Sequence, residues 1–368
     1  MILLQVVATA FFSLAISAAA EIDRHGLVTR YNPRRNASSS STPMQVGNGN
    51  FAFGADVTGL QTLQPWAIMS SWGWKNDTLP ANKTVEDVAD YSGVSLDNHG
   101  RLVEYMFNGP APLQQWMIAN PNRVNLGNIG LVFFGSDGAR LNVTEADLSG
   151  VDQVLDIWTG TLTSRITFNG SDVTVTTVCG QEDDTIGVKV LSPLLDSGLL
   201  GVFMDFPWND GSAKFSAPFV GSWTNANLHT TQLLVHGSTS ASISHTIGNS
   251  TFSTSIGAGN AINITRDSPN AHRYTLRPVA RGKEFTLSTT WGTSTPQKTP
   301  APFESIRQSS NRAWQDFWLN SGFVDVLTGS SDARADELQR RIILSRYLMR
   351  VNEAGDFPPQ EVRCRFSE

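Results

Sequence analysis

The feature that most constrains this chain is a long succession of strand-length segments. From residue 22 to 295, short runs rich in Val, Ile, Thr, Phe and Leu alternate with clusters of Gly, Asn, Asp and Ser. Such runs occupy 130–134, 141–144, 154–162, 163–168 and 172–178, then 185–191, 201–206, 232–235, 274–279 and 284–290. Asn169-Gly170, between two of them, reads as a two-residue hairpin turn, because both central positions need positive φ. This is more strand than an immunoglobulin-sized sandwich needs, and no fixed-period repeat divides it. The expected fold class is mainly β: one large two-sheet β-sandwich, a super-sandwich, over residues 21–295.

The pattern changes at Thr295-Pro-Gln-Lys-Thr-Pro-Ala-Pro302, a stiff, extended linker. Beyond it the spacing predicts a connector helix over 303–319, with Ile306, Ala313, Trp314, Phe317 and Trp318 at helical intervals. A second helix is predicted over 332–354, stopped by Gly355 and Pro358-Pro359. On a helical wheel its Ile342, Leu344, Tyr347, Leu348, Met349 and Val351 spread round most of the circumference. Gln339, Arg346 and Arg350 share one narrow polar face. A helix apolar nearly all round expects neighbours on several sides. The residues after Val351 are too few to supply them, so Ile342, Leu348 and Met349 are expected to lack partners.

The first twenty residues carry no charge, and their apolar run ends in Ser17-Ala18-Ala19-Ala20 before Glu21. This reads as a signal peptide over 1–20 with cleavage at Ala20, and hence a secreted, extracellular protein with no membrane contact once the signal is removed. Seven N-x-[ST] sequons follow, at Asn36, Asn76, Asn82, Asn142, Asn169, Asn249 and Asn263, each a candidate glycosylation site in that compartment. The two cysteines, Cys179 in a strand pattern and Cys364 near the end, predict a buried thiol rather than a disulfide framework. With a net charge of −6 and no Lys/Arg run, nucleic acid is excluded as a partner class. The histidines at 25, 99, 229, 236, 245 and 272 show no ligand spacing, and no metal or cofactor is indicated.

Several segments resemble secreted six-hairpin glycosidase-like proteins, related to the maltose phosphorylase and bacterial α-L-fucosidase families. They are Arg30-Tyr-Asn-Pro33, Thr42-Pro-Met-Gln-Val-Gly-Asn-Gly-Asn-Phe-Ala-Phe-Gly54, and the stretch from Trp66 to Trp74 with its Ser-Ser-Trp-Gly-Trp. Asp336-Glu-Leu-Gln-Arg-Arg-Ile-Ile-Leu-Ser-Arg-Tyr-Leu348 and Glu353-Ala-Gly-Asp-Phe-Pro-Pro-Gln-Glu361 continue the match. The resemblance implies a β-sandwich, a helical linker over 296–329, and the first helix of an (α/α)6 barrel over 330–361. Residues 362–368 depart from the family pattern, as a retained intron or a truncation would make them, and the chain is expected to stop short of the finished barrel.

Glycoside hydrolysis needs two carboxyl groups across the scissile bond. The resemblance places that pair in barrel loops beyond residue 361, so no catalytic residue is assigned. Glu182-Asp183-Asp184 reads as a solvated hairpin turn, and Asp205 and Asp210 as loop residues beside Phe206-Pro-Trp208. Carbohydrate is the expected partner, and the aromatic segment ending in Lys75 is the best place to hold it. Trp72 and Trp74 would share one face of a strand and offer flat indoles to a sugar ring, although core packing explains them too. Glu361, the last shared family position, is a further candidate at the cleft's border. The Gly47-Asn48-Gly49-Asn50 turn is explained by backbone geometry without any ligand. The reading is thus the N-terminal portion of a secreted O-glycosyl hydrolase, inactive without its barrel; a stand-alone carbohydrate-binding sandwich and a disaccharide phosphorylase fragment are the alternatives.

Overall fold

Alternation of side chains along each strand builds the principal sheet of this computed structural model, which describes residues 21–105, 111–211, 221–293 and 298–356. The predicted signal peptide with Ala20, and Glu361, Cys364 and the tail 362–368, lie outside the described residues. Along Thr161–Phe168 the even-numbered Leu162, Ser164, Ile166 and Phe168 are buried; along Ser171–Cys179 it is Val173, Val175, Thr177 and Cys179. That two-residue period puts one face of each strand into the core. The protein is mainly β and sandwich-like, with antiparallel pairing throughout the described sheets.

The principal sheet has nine strands. In spatial order they are Arg34–Arg35, Leu148–Asp156, Thr161–Phe168, Ser171–Cys179, Thr185–Leu191, Glu284–Thr293, Ser250–Ala258, Ser240–Ile247 and His229–Gly237. A four-stranded sheet of Ile262–Arg266, Arg273–Pro278, Leu200–Asp205 and Asn128–Phe133 contributes to the same core. So does a three-stranded sheet of Met44–Gly47, Phe51–Ala55 and Ile68–Ser70. The Asn169-Gly170 turn forms as expected, with φ of 48° and 73°. Cys179 is a buried, free thiol.

Two predicted strands need correction. Residues 141–144 form no strand: beside an isolated bridge from Arg140 to Phe134, Leu141 N donates to Phe133 O at 2.9 Å. The run predicted as one strand over 154–162 is broken: Leu148–Asp156 ends, the chain turns through 157–160, and Thr161–Phe168 begins. The apolar Ile157 and Trp158 disguised a turn. There Ile157 O accepts from Trp318 of the connector helix, and the Trp158 ring meets His25 edge-on at 4.8 Å.

The connector helix, Phe303–Asn320, buries Phe303, Ile306, Ser310, Trp314 and Trp318 along one face. Phe303 and Ile306 pack on Val178, on the outer side of the principal sheet. Thr185–Leu191 is therefore buried on both faces; a Cβ on Gly187 would lie 3.3 Å from Phe303. Farther along, Trp318 Nε1 donates to Ile157 O at 2.8 Å and Ser310 Oγ to Thr159 O at 2.9 Å. Gly160 has φ +65°, and a Cβ there would fall 2.2 Å from Trp314 Nε1.

The final helix, Ala335–Asn352, lies beside it. Trp314 stacks on Tyr347 at 4.5 Å between ring centroids. The narrow polar face of Gln339, Arg346 and Arg350 is turned toward the neighbouring helix and its loop. The buried line is Ala335, Gln339, Ile343, Tyr347 and Val351, and Gln339 points inward, donating to Val324 O and accepting from Val326 N. Arg346 and Arg350 lie over the rings of Phe317, with Trp318 and Trp314 respectively also beneath them. The polar side chains face the neighbouring helix because its surface is aromatic and its loop offers unpaired backbone groups. Leu338, Leu348 and Met349 are left exposed, as apolar residues with solvent for a neighbour, whereas Ile342 is half-buried. At the other end of the chain, Arg24 donates to Trp318 O, Leu319 O and Ser321 O, closing the connector helix's C-terminus. Among the described residues no helix is long and apolar enough to cross a membrane.

The two turn glycines separate backbone strain from packing. Gly170 also has positive φ, but nothing lies within 4 Å of where its Cβ would be. Gly170→Ala should cost about 1 kcal/mol, whereas Gly160→Ala should cost about 1–3 kcal/mol more, because the indole must move. Denaturant midpoints of the two variants measure the difference.

Candidate functional site

The final helix ends against the Gly47-Asn48-Gly49-Asn50 turn, and from there the candidate site is assembled. Gly49 N donates to Val351 O at 3.0 Å, and a Cβ on Gly49, at φ +96°, would lie 2.5 Å from Ala354 C. The glycines are thus required by close approach of the helix end and by positive φ. Asn48 Oδ1 accepts from Asn50 N and Phe51 N, while its Nδ2 donates to Gly180 O and Asp183 O. Asn50 accepts from Ser71 Oγ and Asp356 N and donates to Asp356 Oδ2. Three distant stretches, 70–72, 180–184 and 354–356, therefore meet at one turn.

Asp184 sits at the junction. Sequence reasoning put it in a solvated turn with Glu182 and Asp183; those two are exposed, but Asp184 is buried. Its carboxylate turns inward because donors await it: Ser70 Oγ and Trp72 Nε1 both reach Oδ2 at 2.5 Å. Burial pushes its pKa above the ordinary carboxylate value, and the bonds from Ser70, Trp72 and Asn48 pull against that.

Trp72 and Trp74 do not share a strand face. Trp72 lies in the turn before the short strand Trp74–Lys75, half-buried, with its ring 6.3 Å from Phe252; Trp74 is 49% exposed. Trp66 is core. Lys75 is buried and ion-paired with Asp77. Trp72 and Trp74 nevertheless line one cavity, of about 1040 Å³, with Trp208, Asp210 and Phe252. Trp72 also borders a second cavity of about 770 Å³, lined by Asn50, Asp184, Trp291, Lys298 and Asp356. Trp72 and Thr293 border both. All seven sequon asparagines are exposed, and Asn76 and Asn249 stand on the rim of the larger cavity.

Three of the six histidines come together, which their spacing did not reveal. His229 and His245 are cross-strand neighbours near the end of one hairpin, and His272 precedes the strand Arg273–Pro278. His229 Nδ1 is 2.8 Å from His245 Nε2, and the rings of His229 and His272 are 3.8 Å apart. His272 Nε2 faces Ala226 O at 2.8 Å, so it carries the proton, and Nδ1 accepts from Thr231 Oγ1. Among the described residues no group is arranged to hold a metal ion. Burial holds all three imidazoles neutral, His229 down to about 3.

No protein-family model and no curated protein matches the chain. Several solved structures are similar to it. A protein described as a kojibiose phosphorylase from human microbiome aligns at TM-score 0.47 and 10% identity, over 86% of this chain and 42% of that one. A bacterial glucoamylase solved with acarbose aligns at 0.41 and 8%, over 77% and 38%. A family GH92 α-mannosidase from Bacteroides thetaiotaomicron aligns at 0.35 and 8%, over 87% and 40%. The chain spans about two fifths of the length of each.

The histidine cluster sets a direction for pH dependence. The unfolded chain takes up protons below about pH 6.5 that the folded chain refuses until far lower. Stability is therefore full above that pH and falls as pH drops toward about 3 for His229. Each imidazole kept neutral contributes at most about 1.4 kcal/mol per pH unit. Urea unfolding between pH 7.5 and 4.5 should show the loss, and His229→Gln should make it shallower.

Proposed function

We propose that this chain is the sugar-holding β-sandwich portion of a secreted glycoside-cleaving enzyme, and that the Trp72 cleft is where it holds sugar. One observation carries the reading. The Trp72 indole is pinned at its edge by Asp184, and Trp72 borders two open cavities. A half-buried ring fixed by a charged acceptor beside open space suits the C–H surface of a pyranose, with little ordering entropy left to lose on binding. Trp74 and Trp208 extend the aromatic wall, while Asn50, Asp210 and Lys298 supply partners for hydroxyls.

The resemblance of the segments at 42–54, 66–74, 336–348 and 353–361 supports assigning the chemistry to an (α/α)6 barrel outside this sequence. The exposed Leu338, Leu348 and Met349 are the surface such a barrel would cover. Under this reading the sequence on its own binds glycan and cleaves none. Secretion and glycosylation at the sequons belong to the same proposal, and glycans on Asn76 or Asn249 would share the rim of the larger cavity with ligand.

Tryptophan fluorescence titration with malto-, manno- and fuco-oligosaccharides tests it. Trp72→Ala should weaken the best ligand at least tenfold, and Asp184→Ala should weaken it less, by freeing the ring without removing it. Equal affinity of Trp72→Ala and the unsubstituted chain would overturn the proposal, as would absence of binding to all three series.

A further inference from the structure

Among the described residues Trp74 is the one tryptophan left exposed. Its surroundings are built in alternation. The strand Trp74–Lys75 pairs with Asn122–Arg123, and through the residues that follow Trp74, Asn76 and Thr78 are exposed, Lys75 is buried and Asp77 half-buried. Lys75 and Asp77 turn inward and pair with each other. Asp77 N donates to Asn120 Oδ1 at 2.7 Å, and Asp77 Oδ2 accepts from Gly211 N at 2.8 Å. Trp116 Nε1 reaches Asp77 O at 3.1 Å and Thr78 O at 3.0 Å. The inner side of the segment is thereby fastened. Trp74, Asn76 and Thr78 share its outer side and border the cavity of about 1040 Å³.

Asn76-Asp77-Thr78 is a sequon, so its acceptor amide stands two residues after the exposed indole. None of the other six sequons has an aromatic residue two positions before its asparagine. Two residues of extended chain span about 6.5 Å, close enough for a sugar joined to Asn76 Nδ2 to fold back over the ring. The sugar is tethered, so its effective concentration at the indole exceeds that of any free glycan. Its C–H face would take from water an apolar ring that the protein itself leaves uncovered.

We infer that Asn76 carries an N-glycan whose first N-acetylglucosamine lies on the Trp74 indole, so that this wall of the cleft is part protein and part sugar. The inference rests on the secretion reading above. The glycan donor is a polyprenyl-diphosphate-linked oligosaccharide of the secretory pathway. Asn76 Nδ2 bonds to C1 of the sugar as the C1–O bond to the diphosphate breaks; the diphosphate leaves with the electron pair, and one amide proton passes to solvent. Trp74 is then occupied from within, and Trp72 remains the indole for outside ligand.

Secretion of the full chain from yeast, followed by glycopeptide mass spectrometry, measures the occupancy of each sequon, and Asn76 should be occupied. An endoglycosidase that leaves one N-acetylglucosamine on each asparagine then isolates the first sugar. In thermal unfolding of the trimmed chains, Trp74→Ala should lower the midpoint by about 1–3 °C where Asn76 is glycosylated. In the Asn76→Gln background it should leave the midpoint unchanged. Iodide quenching, which needs no substitution at the indole, should be weaker in the trimmed chain than in Asn76→Gln. A bare Asn76 beside occupied sequons elsewhere would overturn this inference alone, whereas bare asparagines at all seven would overturn the secretion reading with it. An equal effect of Trp74→Ala in both backgrounds, or equal iodide quenching with and without the Asn76 sugar, would overturn the inference as well.

Discussion

The structure depends on the seating of the connector helix's indoles against the 157–160 turn. Trp318 donates into the turn's first carbonyl, Ser310 into its third, and Trp314 occupies the space that Gly160 leaves. A buried indole contributes apolar area and also needs an acceptor for its N–H, so burial and hydrogen bonding fix the same position. Trp314 then offers its other side to Tyr347 of the final helix, and Tyr347 Oη donates to Gln45 O at the base of the three-stranded sheet. Turn, helix, helix and sheet form a closed loop of contacts.

The cleft is downstream of that loop. The final helix reaches the Gly47–Asn50 turn, and Asn48 and Asn50 distribute its position to 180–184 and 70–72. Asp184 and Trp72 are therefore held by residues far from them in sequence. A carboxylate is costly to bury, and three side-chain donors offset that cost while one of them, the Trp72 indole, is fixed where it borders both cavities. Asp184 acts on the proposed ligand through Trp72, as a positioning residue.

Much of the fold was legible because its signals are local. The Asn169-Gly170 hairpin, the strand Thr185–Leu191 and the start of the connector helix at Phe303 appear where alternation, turn chemistry and helical spacing put them. What failed was long-range. Ile157 and Trp158 look like strand residues because they are buried, but their partners are distant in sequence: Trp318, 161 positions from Ile157, and His25 against the Trp158 ring. Gln339, Arg346 and Arg350 do share a polar face, but polarity alone does not say that the neighbour it meets is aromatic. Asp184 looks like its exposed neighbours, since nothing nearby announces Ser70 and Trp72 as donors. The histidine cluster likewise joins positions 229, 245 and 272 through sheet pairing, which spacing along one chain does not display. For Trp72 and Trp74 the residue types were right and the shared strand face was not.

If the helix end and the cleft's loops are one cooperative unit, their amides must open together. Native-state hydrogen exchange of the full chain measures this directly. The account predicts that amides of Gly49, Asn50, Phe51 and Ser71 exchange with the same opening free energy as the last two turns of Ala335–Asn352, to which Gly49 N is bonded through Val351 O. Fast exchange at 49–51 and 71 beside a protected helix would show that the cleft holds its shape without the helices, and would contradict the account.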